Sequence, residues 1–357
     1  MAGSVLTQIY REKQVEELAM DGVDEIPQQF DITIYKPPTA IKAIAANSNL
    51  KNQSIPFIDP PVIDFARLIT SNEEELEKYR EALSSWGCFQ LINHGMESII
   101  DEMRKNAKQF FQLPMEEKLK CAKSANYYEG YGNDDVAGAQ AKDWTDRLFL
   151  IASPEEQRKM HLWPQNPPSL RKTIDECTKS GMNMIETLIK IAAKSIGLEE
   201  NIFLSKCGEK PVAHFRLNLY PPCPKPELVL GLKQHTDGGV MTLILPDEQV
   251  GGFEFIKDDQ WYQVHPRPGA IEINIGDQFE VLSNGIFKSV LHRVVANKKE
   301  RMSIVLLWSP DREVGVGPID ELINEKRPRL YKSVKNYNDI IIEAWKKGIF
   351  TLDAMKL

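Results

Sequence analysis

The chain predicts an α+β protein whose second half closes as an antiparallel sandwich or barrel. Two features carry that expectation. Residues 72–86, 96–111 and 168–197 place apolar side chains at helical spacing, whereas from Pro211 onward short β-rich runs follow one another. Pro, Gly, Asp and Asn separate those runs, which is how strands joined by tight turns are punctuated.

Taken in order, Met1 to Met20 is compatible with a helix, and several prolines and small polar residues follow up to Asn52. Ile55 to Asp59 reads as a strand entering the core. The stretch Asn72 to Trp86 is acidic early and apolar at helical spacing, with Ser71 as its N-cap. Gly87 to Asn93 is an apolar strand closed by His94-Gly95, and Met96 to Phe111 an amphipathic helix that stops before Pro114. Residues 122–141, rich in Gly, Asn, Asp and Tyr, predict a long loop. Asp143 to Ile151 predicts a strand and Pro168 to Gly197 one long helix. The β-rich runs are HFRLNLY, VMTLIL, GGFEFI, WYQVH, AIEINI, SVLHRVV and RMSIVLLW, and a mixed tail ends in a helix over Tyr337 to Lys347. The expected organisation is an extension (1–54), a mixed helix and strand region packing on the core (55–208), the β-rich core (209–310) and a helical tail (311–357).

A net charge of -7 argues against nucleic acid or an anionic membrane as partner, because both need a positive footprint. An anionic small molecule needs only local positive charge. The five cysteines are scattered, odd in number and never spaced CxxC, so they predict reduced thiols rather than a zinc site or disulfide framework. No basic-then-apolar leader opens the chain, and no apolar run approaches the roughly 18 residues that span a bilayer. A cytoplasmic monomer acting on a small molecule is the expectation.

The chemistry gathers at His235-Thr236-Asp237, His292 and Arg301-Met302-Ser303. In an extended segment His235 and Asp237 leave the same face. With His292 from a later strand they make two imidazoles and one carboxylate, the facial set that holds ferrous iron while leaving the opposite side open. An HxD pair alone is weak, since such spacing usually serves packing. Zinc is the rival metal, but no HExxH-like signature supplies the base that a zinc hydrolase needs. Arg301 and Ser303 favour iron with an acidic organic co-substrate, because guanidinium grips carboxylate through two parallel hydrogen bonds. His94, His161, His214 and His265 have no carboxylate two residues away in a strand and read as turn, surface or packing residues.

At these residues the chain resembles the plant iron(II)/2-oxoglutarate-dependent dioxygenases over nearly its whole length. The matching stretches are Ile55-Pro56-x-Ile58-Asp59, Trp86 to Gly95, Phe110 to Lys118, Asp143-Trp144, Asn218 to Pro224, Asn274-x-Gly276-Asp277, Ser283-Asn284-Gly285, His292-Arg293 and Arg301-x-Ser303. It is most similar to the specialised-metabolism branch containing alkaloid O-demethylases and flavonoid-modifying oxygenases. The resemblance implies a double-stranded β-helix (jelly-roll) core flanked by helices, iron on His235, Asp237 and His292, and 2-oxoglutarate on Arg301 and Ser303 with Tyr220 and Asn218 assisting. It also implies dioxygen as co-substrate and ascorbate as accessory reductant.

The implied reaction hydroxylates a small, aromatic plant metabolite, or removes an O-methyl group as formaldehyde. The alternative is a relative of the same fold that binds a small molecule or condenses substrates without oxidation. Tyr127, Tyr128, Tyr131, Phe253 and Leu307 are the candidate pocket residues, weighed against ordinary core packing. Leu307 stands where the family often has phenylalanine, and strand alternation points Trp308 the other way. Leu219 replaces a frequent aromatic, Pro246 a frequent glutamine, and Gly238-Gly239 follows the ligand aspartate.

Overall fold

The computed structural model describes residues 12–34, 55–124, 128–133, 141–347 and 349–357. Among the described residues twelve strands form two sheets. They are β1 (Val62–Asp64), β2 (Cys88–Ile92), β3 (Gly130–Gly132), β4 (Asp146–Ser153), β5 (Val212–Tyr220), β6 (Leu230–His235), β7 (Met241–Leu245), β8 (Phe253–Lys257), β9 (Gln260–Gln263), β10 (Ile271–Ile275), β11 (His292–Val295) and β12 (Arg301–Ser309). The larger sheet runs β1-β2-β10-β7-β12-β5-β4-β3 and the smaller β6-β11-β8-β9. All pairings are antiparallel except β1 with β2. Strands from the first 160 residues thus complete the large sheet, so the region before the β-rich core is part of its wall.

Period-two alternation divides the large sheet into two faces. Leu217, Leu243, Ile271, Ile273, Ile275, Ile304, Leu306 and Trp308 point outward into the main apolar core. There they meet α1 (Glu97–Phe111) and α2 (Leu170–Ser195) through Met103, Phe110, Ile185 and Leu188. The long helix lies very close to the sheet: a Cβ on Gly181 would stand 2.5 Å from Leu306 Cδ2. The opposite face looks into the sandwich, where Cys88, Ile244 and Val305 pack against Phe253, Phe255, Val264 and Val290. Trp308 is buried in the outer core, as its place in β12 predicts.

Several expectations are corrected. Ile55 to Asp59 forms only an isolated bridge at Phe57; the strand lies later, at β1, because Pro56, Pro60 and Pro61 remove ladder donors. Asn72, not Ser71, caps the helix Glu73–Glu81, its side chain accepting from Glu75 N, while Ser71 takes φ 59°. Among the elements that escape the sequence patterns are β6, β3, which lies inside the expected loop, and the fully buried helix α3 (Asp277–Leu282). The helix α4 (Tyr337–Lys347) matches its prediction, but it is not the last: a short helix, Thr351–Met355, follows it. Among the described residues no helix is long and apolar enough to cross a membrane.

Candidate active site

His235 ends β6 and His292 begins β11, and the two are direct partners in the small sheet. Their rings lie 4.2 Å apart between centroids. His235 Nε2 is 3.6 Å and His292 Nε2 3.7 Å from Asp237 Oδ1. One ligand atom from each residue lies within 4.8 Å of the others. Atoms that close converge on a common point, and small side-chain adjustments bring them to the bond lengths of about 2.0–2.2 Å that such ligands make.

The imidazoles are oriented for this. His235 Nδ1 lies 2.7 Å from the Lys233 carbonyl oxygen and His292 Nδ1 3.0 Å from that of Val290. A carbonyl only accepts, so each Nδ1 carries the proton and each Nε2 presents a lone pair inward. Burial, then the neighbouring His292, push the His235 pKa down to about 4. Asp237 Oδ2 is buried with no hydrogen-bond partner among the described residues. Converging lone pairs with an orphaned carboxylate oxygen fit a divalent cation.

Asp277 holds the ligand-bearing segments together. Its carboxylate accepts from Thr236 Oγ1 at 3.0 Å, between His235 and Asp237, and from Ser289 Oγ at 2.7 Å, three residues before His292. Its backbone N–H donates to the Asp237 carbonyl at 2.7 Å. Sequence reading quoted Asp277 only within a motif and gave it no role; the sign available was a carboxylate opening a short apolar segment. Gly239 is sterically required: a Cβ there would stand 2.5 Å from the Trp308 carbonyl oxygen.

A second group occupies the inward face of β5 and β12. Arg301 pairs across from Tyr220 and Ser303 from Asn218, with Asn218 Nδ2 donating to Ser303 Oγ at 3.2 Å. The Arg301 guanidinium is buried 5.1 Å from the centroid of the Tyr220 ring, and its Nε and Nη1 have no partner among the described residues. A buried cation whose donors go unused is costly unless a ligand completes it.

The candidate pocket residues separate. Phe253 lies 5.4 Å from the His292 ring and is buried; Leu307 is half-buried on the inward face, across from Thr242 and His214. Tyr128 sits at the barrel rim, its hydroxyl accepting from Arg312. Tyr131 is corrected: it opposes Leu148 on the outer face, packs on Phe110 and donates its hydroxyl to Glu16, so it belongs to the core. Tyr127 lies outside the described residues. His94 uses both ring nitrogens on backbone and is a turn residue, and His161 is exposed.

One model, for the 2OG-Fe(II) oxygenase superfamily, matches residues 211–310. A second, for the N-terminal region of non-haem dioxygenases in morphine synthesis, matches residues 60–166. The chain is 36% identical over 350 residues to jasmonate-induced oxygenase 4 of Arabidopsis thaliana, covering 96% of each. It belongs to the 2-oxoglutarate–Fe(II) oxygenase superfamily. Codeine O-demethylase of Papaver somniferum is 34% identical over 92% of this oxygenase and 91% of its own length. The crystal structure of JOX2 in complex with 2OG, Fe and JA superposes with a TM-score of 0.85 at 31% identity, covering 98% of both chains. The two-sheet sandwich is therefore the jelly roll of this superfamily, and the protein is an oxidoreductase that uses Fe(II), 2-oxoglutarate and dioxygen.

The same interior holds a buried acid, Glu272 on β10, 5% exposed, with Oε2 unpartnered among the described residues. Loss of hydration pushes its carboxyl from 4.5 up to about 7. A carboxyl raised on folding stabilises fully below its unfolded value, and that contribution disappears as pH rises through about 7. Glu272→Gln should therefore be more stable than wild type at pH 8, by on the order of 3 kcal/mol, with the gap closing by pH 5. Denaturant unfolding of the metal-free protein at both pH values measures it; equal stabilities at pH 8 contradict the assignment.

Proposed function

We propose that His235, Asp237 and His292 hold the iron, that Arg301 and Ser303 hold the distal carboxylate of 2-oxoglutarate, and that Tyr220 and Asn218 shape that pocket. All of these groups lie within residues 209–310, which we take as the catalytic core, with 55–208 completing its wall, 1–54 an extension and 311–357 a tail. The observation that carries the reading is Arg301: a buried guanidinium with unused donors, on the inward face of the barrel that also holds the two histidines and Asp237.

Ferrous iron in this site supplies dioxygen activation coupled to oxidative decarboxylation of 2-oxoglutarate. One oxygen atom enters succinate as carbon dioxide leaves, and the other enters a C–H bond of the substrate. The protein's share is placement. The backbone carbonyls at Lys233 and Val290 fix both imidazoles, Asp277 fixes the chain around them, and Arg301 fixes the keto acid's far end. Phe253 and Leu307 keep water from the reacting carbon and favour an apolar, aromatic substrate.

The substrate is a small plant metabolite, and the outcome is hydroxylation or O-demethylation. On an O-methyl carbon, insertion of oxygen gives a hemiacetal that releases formaldehyde and the free hydroxyl. The five cysteines are unpaired and buried, which supports a reducing, cytosolic compartment.

The test incubates enzyme, Fe(II), ascorbate, 2-oxoglutarate and 18O2 with jasmonate, a flavanone, codeine and other methoxylated aromatics. Expected are equal amounts of succinate and oxidised product, with one 18O in a new hydroxyl, or formaldehyde in step with a demethylated product. Product formed equally well without oxygen, or no succinate above the substrate-free background for any compound, overturns the reading.

A further inference from the structure

Beyond the metal a second, outer site opens at the barrel rim. A small, open cleft is lined by His214, Gln278, Ser309, Arg312, Asn336 and Tyr337, among others. Its inner wall abuts the metal loop, because Gln278 Nε2 donates to the Gly238 carbonyl at 2.8 Å, one residue after Asp237. Leu307, on the inward face, is the cross-strand partner of His214. An elongated molecule can therefore lie with one end beside the iron ligands and the other in this cleft.

The donors there await an acceptor. Arg312 is exposed, and among the described residues no carboxylate comes within 4.0 Å of it, unlike Arg158, Arg293 and Arg329, which all pair with acids. Its guanidinium is aimed by Tyr128, whose hydroxyl accepts from Nη2 at 2.7 Å, and it lies 3.4 Å from His214 Nε2. His214 stays neutral, its pKa lowered to about 3 by loss of hydration and then by Arg312, so it adds no competing charge. Tyr337, from α4, packs under the cleft with Val281 and Tyr331, its buried hydroxyl near the Asp277 and Glu280 carboxylates. Asp311 is the acid that lines the cleft, and its Oδ1 accepts from the backbone N–H of Glu313. Apolar surface continues inward from these donors: Tyr128 packs edge-on against Phe149, and the Phe149 ring lies 5.3 Å from His214.

We propose that the substrate is a carboxylic acid whose carboxylate is read by Arg312, with its apolar body running along Phe149 and Leu307 toward the metal site. This rests on the oxygenase reading above and narrows its substrate class. Guanidinium offers two parallel donors to a carboxylate, and a methyl ester of the same acid loses the charge while keeping the body. Arg312 is thus a specificity-determining residue, not part of the iron or 2-oxoglutarate machinery.

The test is anaerobic calorimetry on enzyme loaded with Fe(II) and 2-oxoglutarate, using matched acids and methyl esters: jasmonic, indole-3-acetic and 4-methoxycinnamic. At least one acid is expected to bind wild type about ten-fold tighter than its ester. In Arg312→Gln that acid weakens about ten-fold, to the level of its ester, while the ester stays within about two-fold. Tyr128→Phe, which frees the guanidinium from its guide, gives a smaller loss for the acid alone. Wild type that takes up neither iron nor 2-oxoglutarate overturns the underlying oxygenase reading and this proposal with it. Wild type that takes up both, yet binds no acid or binds acid and ester alike, overturns the carboxylate site alone. An Arg312→Gln protein that keeps the discrimination does the same.

Discussion

Asp237→Asn should abolish turnover while making the metal-free protein more stable. The loss follows from the ligand set: iron needs the carboxylate charge between two neutral imidazoles, and even outer-shell partners of a metal site are worth 10–100-fold in affinity, so a direct ligand is worth at least about 100-fold. The gain follows from burial. Asp237 is 6% exposed, and its Oδ2 has no hydrogen-bond donor among the described residues, so the empty site holds a carboxylate oxygen stripped of water. An amide of the same shape leaves a polar group unpaired but removes the buried charge, and the penalty of about 1–3 kcal/mol for an unsatisfied buried polar group is larger for a charged one. A merely structural aspartate would behave in the opposite way. Thermal unfolding after chelation, read beside iron titration, separates the two: a lower Tm in the variant contradicts the assignment.

Arg301→Leu should raise the KM for 2-oxoglutarate by roughly 30- to 5,000-fold while iron affinity stays within about two-fold of wild type. Removing one partner of a buried, hydrogen-bonded charge pair costs about 2–5 kcal/mol, which is the basis of that range. Arg301→Lys should recover part of the loss, because it restores charge without the two-pronged geometry. The proposed iron ligands come from β6, the loop after it and β11, whereas Arg301 stands on β12, so the two effects are separable. Equal weakening of iron and 2-oxoglutarate would mean that Arg301 supports the fold of the barrel instead.

Much of this site was legible in the sequence because its geometry is local. His235 and Asp237 are two apart, and the extended chain at the end of β6 keeps them on one side. Arg301, Ser303 and Leu307 share the inward face of β12 by the same alternation, which also sends Trp308 outward. The strand β6 itself escaped notice, since LGLKQH carries no β-branched or aromatic residue. The helix Asp277–Leu282 escaped for a different reason: all of its residues are buried, so no polar face marks a helical period. Asp277 therefore acquired a role only when its contacts to Thr236 and Ser289 were visible.

Tyr131 shows where composition misleads. A tyrosine beside glycines suggests a pocket loop, yet β3 pairs with β4, and that pairing turns the ring into the core. His214 shows the reverse. Nothing within its strand distinguishes it, and its setting depends on Phe149, Tyr128 and Arg312, which approach from three other segments. Contacts of that kind are assembled by topology, and no local pattern encodes them.

The most direct measurement is an anaerobic titration of Fe(II) into the metal-free enzyme with 2-oxoglutarate present, following the visible charge-transfer absorption of the chelated keto acid. One equivalent of iron should develop the band in wild type, none should form in Asp237→Asn, and Arg301→Leu should need far more 2-oxoglutarate to reach the same intensity. A band that persists at full strength without the Asp237 carboxylate, or that never forms in wild type, would mean these side chains do not build a ferrous 2-oxoglutarate centre.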